Sequence, residues 1–440
     1  MYIVSKNIKN LSLVLVLFGL LGIGYGFYSS PKTIEESKEM IAKSGHDSHL
    51  GDHDSHDEKN HSSYHENGHV MSHDEHVFHQ LANRPWAAVY VAAFFFFMIS
   101  LGTLAFYAIQ RVSQAGWSPL LFRVMEGITG YLLPGGIFVI IILILSVMHF
   151  NHLFIWMDPE VVEHDKIIKA KSGYLDSGFF LIRAVIYLSG WVIYRHVSRK
   201  LSIAQDSAED NKNHIKNFKL SAAFLVFFLV TESMMSWDWI MSIDPHWFST
   251  LFGWYVFASM VVSAVTTIAL ISIYLKSNGY ITNVNSNHLH DLAKFMFGFS
   301  VFWAYLWFSQ FMLIWYSNIP EEVVYFISRI EDYSITFWGM VVLNLIFPFF
   351  ILISSNFKRS NWILVIAGII ILIGHYIDVF NMIMPSAVGD QWFIGVPEIG
   401  SIMFFGGIFL YVVFSSLTKA QLEASGDPFN TESKKFVYPH

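Results

Sequence analysis

Six ionisable side chains lie within or at the edge of long apolar runs in this 440-residue chain. Glu232 and Asp238 share one run, His375 and Asp378 another; Arg183 stands in a third, and Glu126 opens a fourth beside Arg123. Such groups are costly in hydrocarbon, so each is by default a functional hypothesis with a partner to be named. Asp238 precedes Pro245 by the same seven residues that separate Asp378 from Pro385. At about 1.5 Å per helical residue, both carboxyls sit roughly 10 Å in from one end of their helices. Arg183 has a similar depth on the helix before that of Asp238, which makes the two a candidate charge pair. His375 and Asp378, three residues apart, share a helix face. Glu232 lies roughly 20 Å in and about 120° around the helix from Asp238. Glu126 reads as half of a solvated interfacial pair with Arg123. Two kinds of chemistry suit the other groups: a proton relay or contacts to a quinone head group, or ion pairs that tie helices together.

The elements that position these groups follow from composition. Hydrophobic residues make up 54% of the chain and charged residues 14%, against about 25% charge in soluble domains. Aromatics reach 17%, led by 41 Phe. A soluble enzyme, a disordered chain and a nucleic-acid binder are excluded. What remains is an all-α polytopic membrane protein, since helices satisfy their own backbone groups in the bilayer. Ten apolar segments are long enough to span it: 11–28, 86–110, 122–149, 177–196, 219–241, 251–276, 292–316, 334–355, 362–384 and 396–417. The first, behind Lys6 and Lys9, reads as a retained helix, because Phe27-Tyr28-Ser29-Ser30 is a poor signal-peptidase site. Arg195, Arg199, Lys200, Lys212, Lys216 and Lys219 crowd one connection on the side of the termini, whereas 242–250 and 385–395 on the other side contain no Lys or Arg. The positive-inside rule then puts both termini in the cytoplasm.

The absence of Cys rules out thiolate iron–sulfur ligation and c-haem attachment on this chain. His149, His196 and His375 alone approach usable depth, too few for a di-haem cytochrome b, while a single b-haem stays open as an alternative. Ten His and eight Asp or Glu between His46 and His79 read as a solvated low-complexity insert, with weak metal buffering as the other reading. The stretch 236–248, rich in Trp, reads as interfacial anchoring or as a docking face for a partner.

The chain also repeats itself. Phe154-Ile-Trp-Met-Asp-Pro-Glu-Val-Val162 resembles Leu313-Ile-Trp-Tyr-Ser-Asn-Ile-Pro-Glu-Glu-Val-Val324, four helices on. With the Asp–Pro spacing, this predicts two four-helix bundles, helices 2–5 and 6–9, in parallel orientation and flanked by helices 1 and 10. The units are residues 1–28 (first helix), 29–85 (His-rich loop), 86–249 and 250–395 (the bundles), 396–418 (tenth helix) and 419–440 (tail).

Two runs carry a family resemblance. Glu232-Ser-Met-Met-Ser-Trp-Asp-Trp-Ile-Met-Ser-Ile-Asp-Pro-His-Trp-Phe-Ser-Thr-Leu-Phe-Gly-Trp-Tyr255 is one. The other is Asp291-Leu-Ala-Lys-Phe-Met-Phe-Gly-Phe-Ser300 together with Ser309-Gln-Phe-Met-Leu-Ile-Trp-Tyr-Ser-Asn-Ile-Pro-Glu-Glu322. Both are similar to the ActF-type membrane subunit of alternative complex III, a quinol:cytochrome c oxidoreductase, and more distantly to NrfD and polysulfide-reductase membrane anchors. The resemblance implies a ten-helix subunit of a respiratory electron-transport complex, with no redox cofactor of its own. It implies partners as well: a sister NrfD-like membrane subunit, an iron–sulfur subunit and periplasmic c-type cytochrome subunits, which hold the clusters and c-haem. Quinone is a further expected ligand of that complex. Glu232, Asp238, His375 and Asp378, then Arg183 and Glu126, match a proton path. The alternatives are a standalone secondary transporter built from parallel repeats and a purely structural anchor. Against the transporter, only Pro134, Pro348 and Gly135-Gly136 break the helices at mid-membrane.

Overall fold

The computed structural model describes residues 2–44 and 73–437. Among these, ten helices are long and apolar enough to cross a membrane: α1 (Lys6–Ser29), α2 (Val77–Val112), α3 (Pro119–Val147), α4 (Ser177–Gln205), α5 (Lys212–Ile243), α6 (Leu251–Ser277), α7 (Ser286–Ser317), α8 (Ser334–Leu352), α9 (Asn361–Val388) and α10 (Val396–Leu417). The chain is a multi-pass, all-α membrane protein. Ten crossings bring both ends to one side, the terminal side, and leave the other as the far side.

The pattern on α9 explains why such a helix sits where it does. Trp362, Ile366, Ile369 and Ile373 recur every three or four residues and are 46–67% exposed. Ala367, Gly368, Ile371, Gly374, His375 and Asp378 are buried on the opposite face. An apolar stripe of that kind is costly in water but not against lipid chains, which are as apolar as the side chains themselves. α2 and α6 have no such outward stripe, since 89% of the most apolar window of each is buried.

Packing closes two rings of four. In the first, α2 packs on α3 and α5, and α4 packs on both α3 and α5. In the second, α6 packs on α7 and α9, and α8 packs on both α7 and α9. α2 lies against α6 and α9, which joins the rings through their innermost helices. The outer two helices, α1 and α10, pack on each other, and α10 lies along α2 and the start of α3. Gly19, Gly22 and Gly400 permit this contact: a Cβ on Gly19 would sit 2.3 Å from the Phe404 backbone nitrogen, and one on Gly22 2.8 Å from the Gly400 Cα.

Other boundaries also differ. The helices of 219–241 and 292–316 extend over Lys212–Ile243 and Ser286–Ser317, because polar first turns continue the backbone ladder beyond the apolar window. The helix expected to reach residue 149 stops at Val147, and His149 lies outside it with φ +58°. The segment 29–85 is not all irregular: Ile34–Ser44 is helical, and the backbone is helical again from His73. The remainder of the His-rich insert, with the metal-buffering reading, lies outside the described residues. On the far side, connections carry the short helices Pro159–His164, Lys166–Ala170 and Pro320–Glu331.

Candidate functional site

The sequence-selected side chains separate into distinct clusters. On the far side of the first ring, Arg183 of α4 grips Asp238 of α5 with a fork: Nε to Oδ2 at 2.8 Å and Nη2 to Oδ1 at 3.0 Å. Tyr187 donates to the same Oδ2 at 3.1 Å, and Arg183 Nη1 donates to the Tyr174 carbonyl at 3.0 Å. The predicted charge pair is present, bidentate and buried. Such closure suits a fixed structural contact, since breaking one partner strands a buried charge. Glu232, deeper on α5, is 3% exposed and accepts the Ser236 hydroxyl at 3.2 Å. No hydrogen bond recorded among the described residues joins Glu232 to Asp238.

At the terminal side, Arg123 Nη1 donates to Glu126 at 2.6 Å, as the sequence suggests, but the pair is not solvated. Both residues are 3% exposed. Tyr107 of α2 donates to Glu126 at 3.2 Å, and Arg123 also reaches Ser202 of α4 and Asp206. Arg111 bonds Tyr107, Ser202 and Asp427 of the C-terminal tail, the last at 2.8 Å. Burial alone would raise the Asp427 carboxyl; the His214 imidazole and Arg111 guanidinium outweigh it and hold it below the usual carboxylate range. The tail therefore covers this end and encloses an ion pair expected to meet water.

Between these two clusters runs a feature that single-residue inspection misses. Arg183, Tyr187, Trp191, Tyr194, Ser198 and Ser202 fall every three or four residues along one buried face of α4. Most of them meet a polar residue of α5: Trp191 donates to Thr231 at 3.0 Å, Tyr194 shares a hydrogen with Ser221 at 2.8 Å, and Ser198 donates to Asn217 at 2.6 Å. The period is present in 183–202, but neutral residues in an apolar helix do not stand out as charges do.

The second ring holds the most relay-like arrangement. Asp378 of α9, fully buried, receives three donors from two other helices. Tyr255 of α6 donates its phenol to Oδ1, while Ser259 and Trp303 donate to Oδ2 at 2.7 and 2.9 Å. His375 does not bond Asp378 directly: Nδ1 lies 3.6 Å from Oδ2, beyond hydrogen-bond reach. It meets the Ser259 hydroxyl instead, at 2.9 Å. Because Ser259 spends its one hydrogen on Asp378, the imidazole is the donor, with Nδ1 protonated and Nε2 left as an acceptor. Nε2 has no partner among the described residues. Imidazole, hydroxyl and phenol can each both accept and donate, so the series His375, Ser259, Asp378, Tyr255 can pass a proton. The α4–α5 ladder cannot do so unaided, because the Trp191 indole only donates.

Two tryptophans of the Trp-rich stretch make internal contacts. Trp239 is buried against Trp191, and Trp247 stacks on Tyr325 of Pro320–Glu331 with ring centres 3.8 Å apart. Another residue missed in the sequence is Asn344, within a π-helical turn of α8 (Val342–Ile346). Gly374 leaves room for it: a Cβ there would lie 2.1 Å from Asn344 Oδ1.

Fold and site together define a multi-pass helical membrane protein with a buried ionisable chain in its second ring. The chain matches no model of a known protein family, and no curated protein matches it in sequence.

Proposed function

We propose that this chain is an integral membrane subunit of a quinol:cytochrome c oxidoreductase of the alternative complex III type, in the bacterial inner membrane with both termini cytoplasmic. It carries no redox centre of its own. Quinol oxidation releases two protons and two electrons; the electrons leave through partners, namely an iron–sulfur subunit and periplasmic c-type cytochrome subunits beside a sister NrfD-like membrane subunit. This chain contributes a proton path and supports assembly. The resemblance of 232–255 and 291–322 supports the complex, and the absence of Cys accords with redox centres on other chains. The observation that carries the proton-path reading is the buried series His375, Ser259, Asp378, Tyr255. Within the six candidates, His375 and Asp378 conduct, Arg183 and Asp238 fix α4 to α5, and Glu232 and Glu126 are subsidiary sites.

The first test is mild-detergent purification through a C-terminal tag, with haem spectra and mass spectrometry of co-purifying chains. Co-purification of c-haem and iron–sulfur subunits supports the complex, whereas a stable, colourless, solitary protein overturns it. In the assembled complex, Asp378→Asn removes the central proton acceptor while retaining its size. Proton release coupled to turnover should fall by about 10²-fold or more. Unchanged coupling would end the relay assignment.

A further inference from the structure

A small cleft with room for about one water molecule lies on the far side of the second ring, between α6, α7, Pro320–Glu331, α8 and α9. Phe337 and Met382 supply apolar wall; Tyr255, Trp307, Gln310 and Arg329 bring polar groups. Two donors on these residues have no acceptor among the described residues: Nη2 of Arg329 and Nε1 of Trp307. Arg329 is 3% exposed, and its other hydrogen bonds go to backbone carbonyls, Asn381 at 3.0 Å and Tyr325 at 2.8 Å, rather than to a carboxylate. Protein interiors do not normally leave buried donors unsatisfied; ordered water fills such places when they are polar and roomy enough.

The two rings differ at this point. In the first, Arg183 touches Asp238 directly. In the second, Arg329 is bonded one helical turn beyond Asp378, at Asn381, and the phenol of Tyr255 stands between the cleft and Asp378. An anion in the cleft would face the Asp378 carboxylate across Tyr255, and an acyl chain would leave both donors unsatisfied. Water satisfies them and carries no charge.

We propose that this cleft is a hydration site, in which water accepts from Arg329 and Trp307 and donates to the phenol oxygen of Tyr255. The site gives Asp378 a hydrogen-bonded connection to the far side. A proton taken up by the phenol oxygen from the water is matched by the phenol proton released to Asp378, and the water regains its proton from solvent on the far side, so tyrosine and water both return to their starting states. The use of the site in proton movement rests on the function proposed above; its hydration does not.

The cysteine-free chain provides the test. Met340 lines the cleft, and Met340→Cys keeps a sulfur there. Ile371, fully buried on α9, does not line it, so Ile371→Cys is the control. Gln310→Cys is a second cleft position in case Met340→Cys does not assemble. Membranes containing each variant are treated with a small neutral methanethiosulfonate, and peptides of this chain alone are quantified by mass spectrometry. Because the reacting species is the thiolate, disfavoured in apolar surroundings, the cleft thiols should react at least about tenfold faster than the control. Cleft thiols as inert as Ile371→Cys would overturn the hydration site. Labelling does not depend on electron transfer, so reactive cleft thiols in a protein without redox partners would remove the oxidoreductase reading and leave the site intact.

Discussion

Asp238 and Asp378 occupy matching places seven residues before a proline, and their surroundings give them different work. Asp238 is held by a bidentate guanidinium. Arg183→Ala should therefore destabilise the protein by about 3–5 kcal/mol, because it strands a buried carboxylate, while replacing both partners with Met and Leu should cost much less. Thermal unfolding in detergent measures both. The carboxyls, the imidazole and their depth were legible in the sequence, because charge inside an apolar run is conspicuous. The partners of Asp378 were not: Tyr255, Ser259 and Trp303 are ordinary residues of membrane helices, and only their convergence on one carboxylate distinguishes them. The direct His375–Asp378 contact implied by i, i+3 spacing was displaced by Ser259, whose hydroxyl fits between them.

At the scale of elements, the hydrophobic runs gave all ten spans, and the repeat correctly anticipated two rings of four. Helix ends were less legible, since polar first turns look like loops to an apolar window. The pairing of α1 with α10 was hidden because its determinant is small size rather than polarity. It also offers a matched test. Gly19→Leu drives a side chain into the backbone of α10, where a Cβ alone would lie 2.3 Å from the Phe404 nitrogen; at Gly24 a Cβ would meet nothing within 4 Å. Gly19→Leu should detach α1, read as faster proteolysis of the first helix in detergent, and Gly24→Leu should behave as the parent. The far-side connections are held by a local contact as well, His246 to Asp165 at 2.5 Å.

Across the whole molecule, the C-terminal tail ties the rings together on the terminal side. Asp427 pairs with Arg111, the Ser433 hydroxyl donates to the Trp117 carbonyl, and Asn285 at the start of α7 bonds the Phe436 carbonyl. The folded value of Asp427 is depressed, so its contribution is present above the ordinary carboxylate range and lost as pH falls through the folded value. Hydrogen exchange of 420–437 should be protected at neutral pH and accelerate below about pH 4, and Asp427→Asn should remove most of that pH dependence. Nothing in the tail's composition signals such docking, because its polar residues are those of any solvated end. The α1–α10 contact bears, finally, on how the protein is made. α1 leaves the ribosome well before α10, its main partner, a delay of roughly 20–80 s at about 5–20 residues per second. Through that interval α1 resides in the bilayer with its glycine face uncovered, open to any insertion factor or neighbouring helix that binds small-residue surfaces.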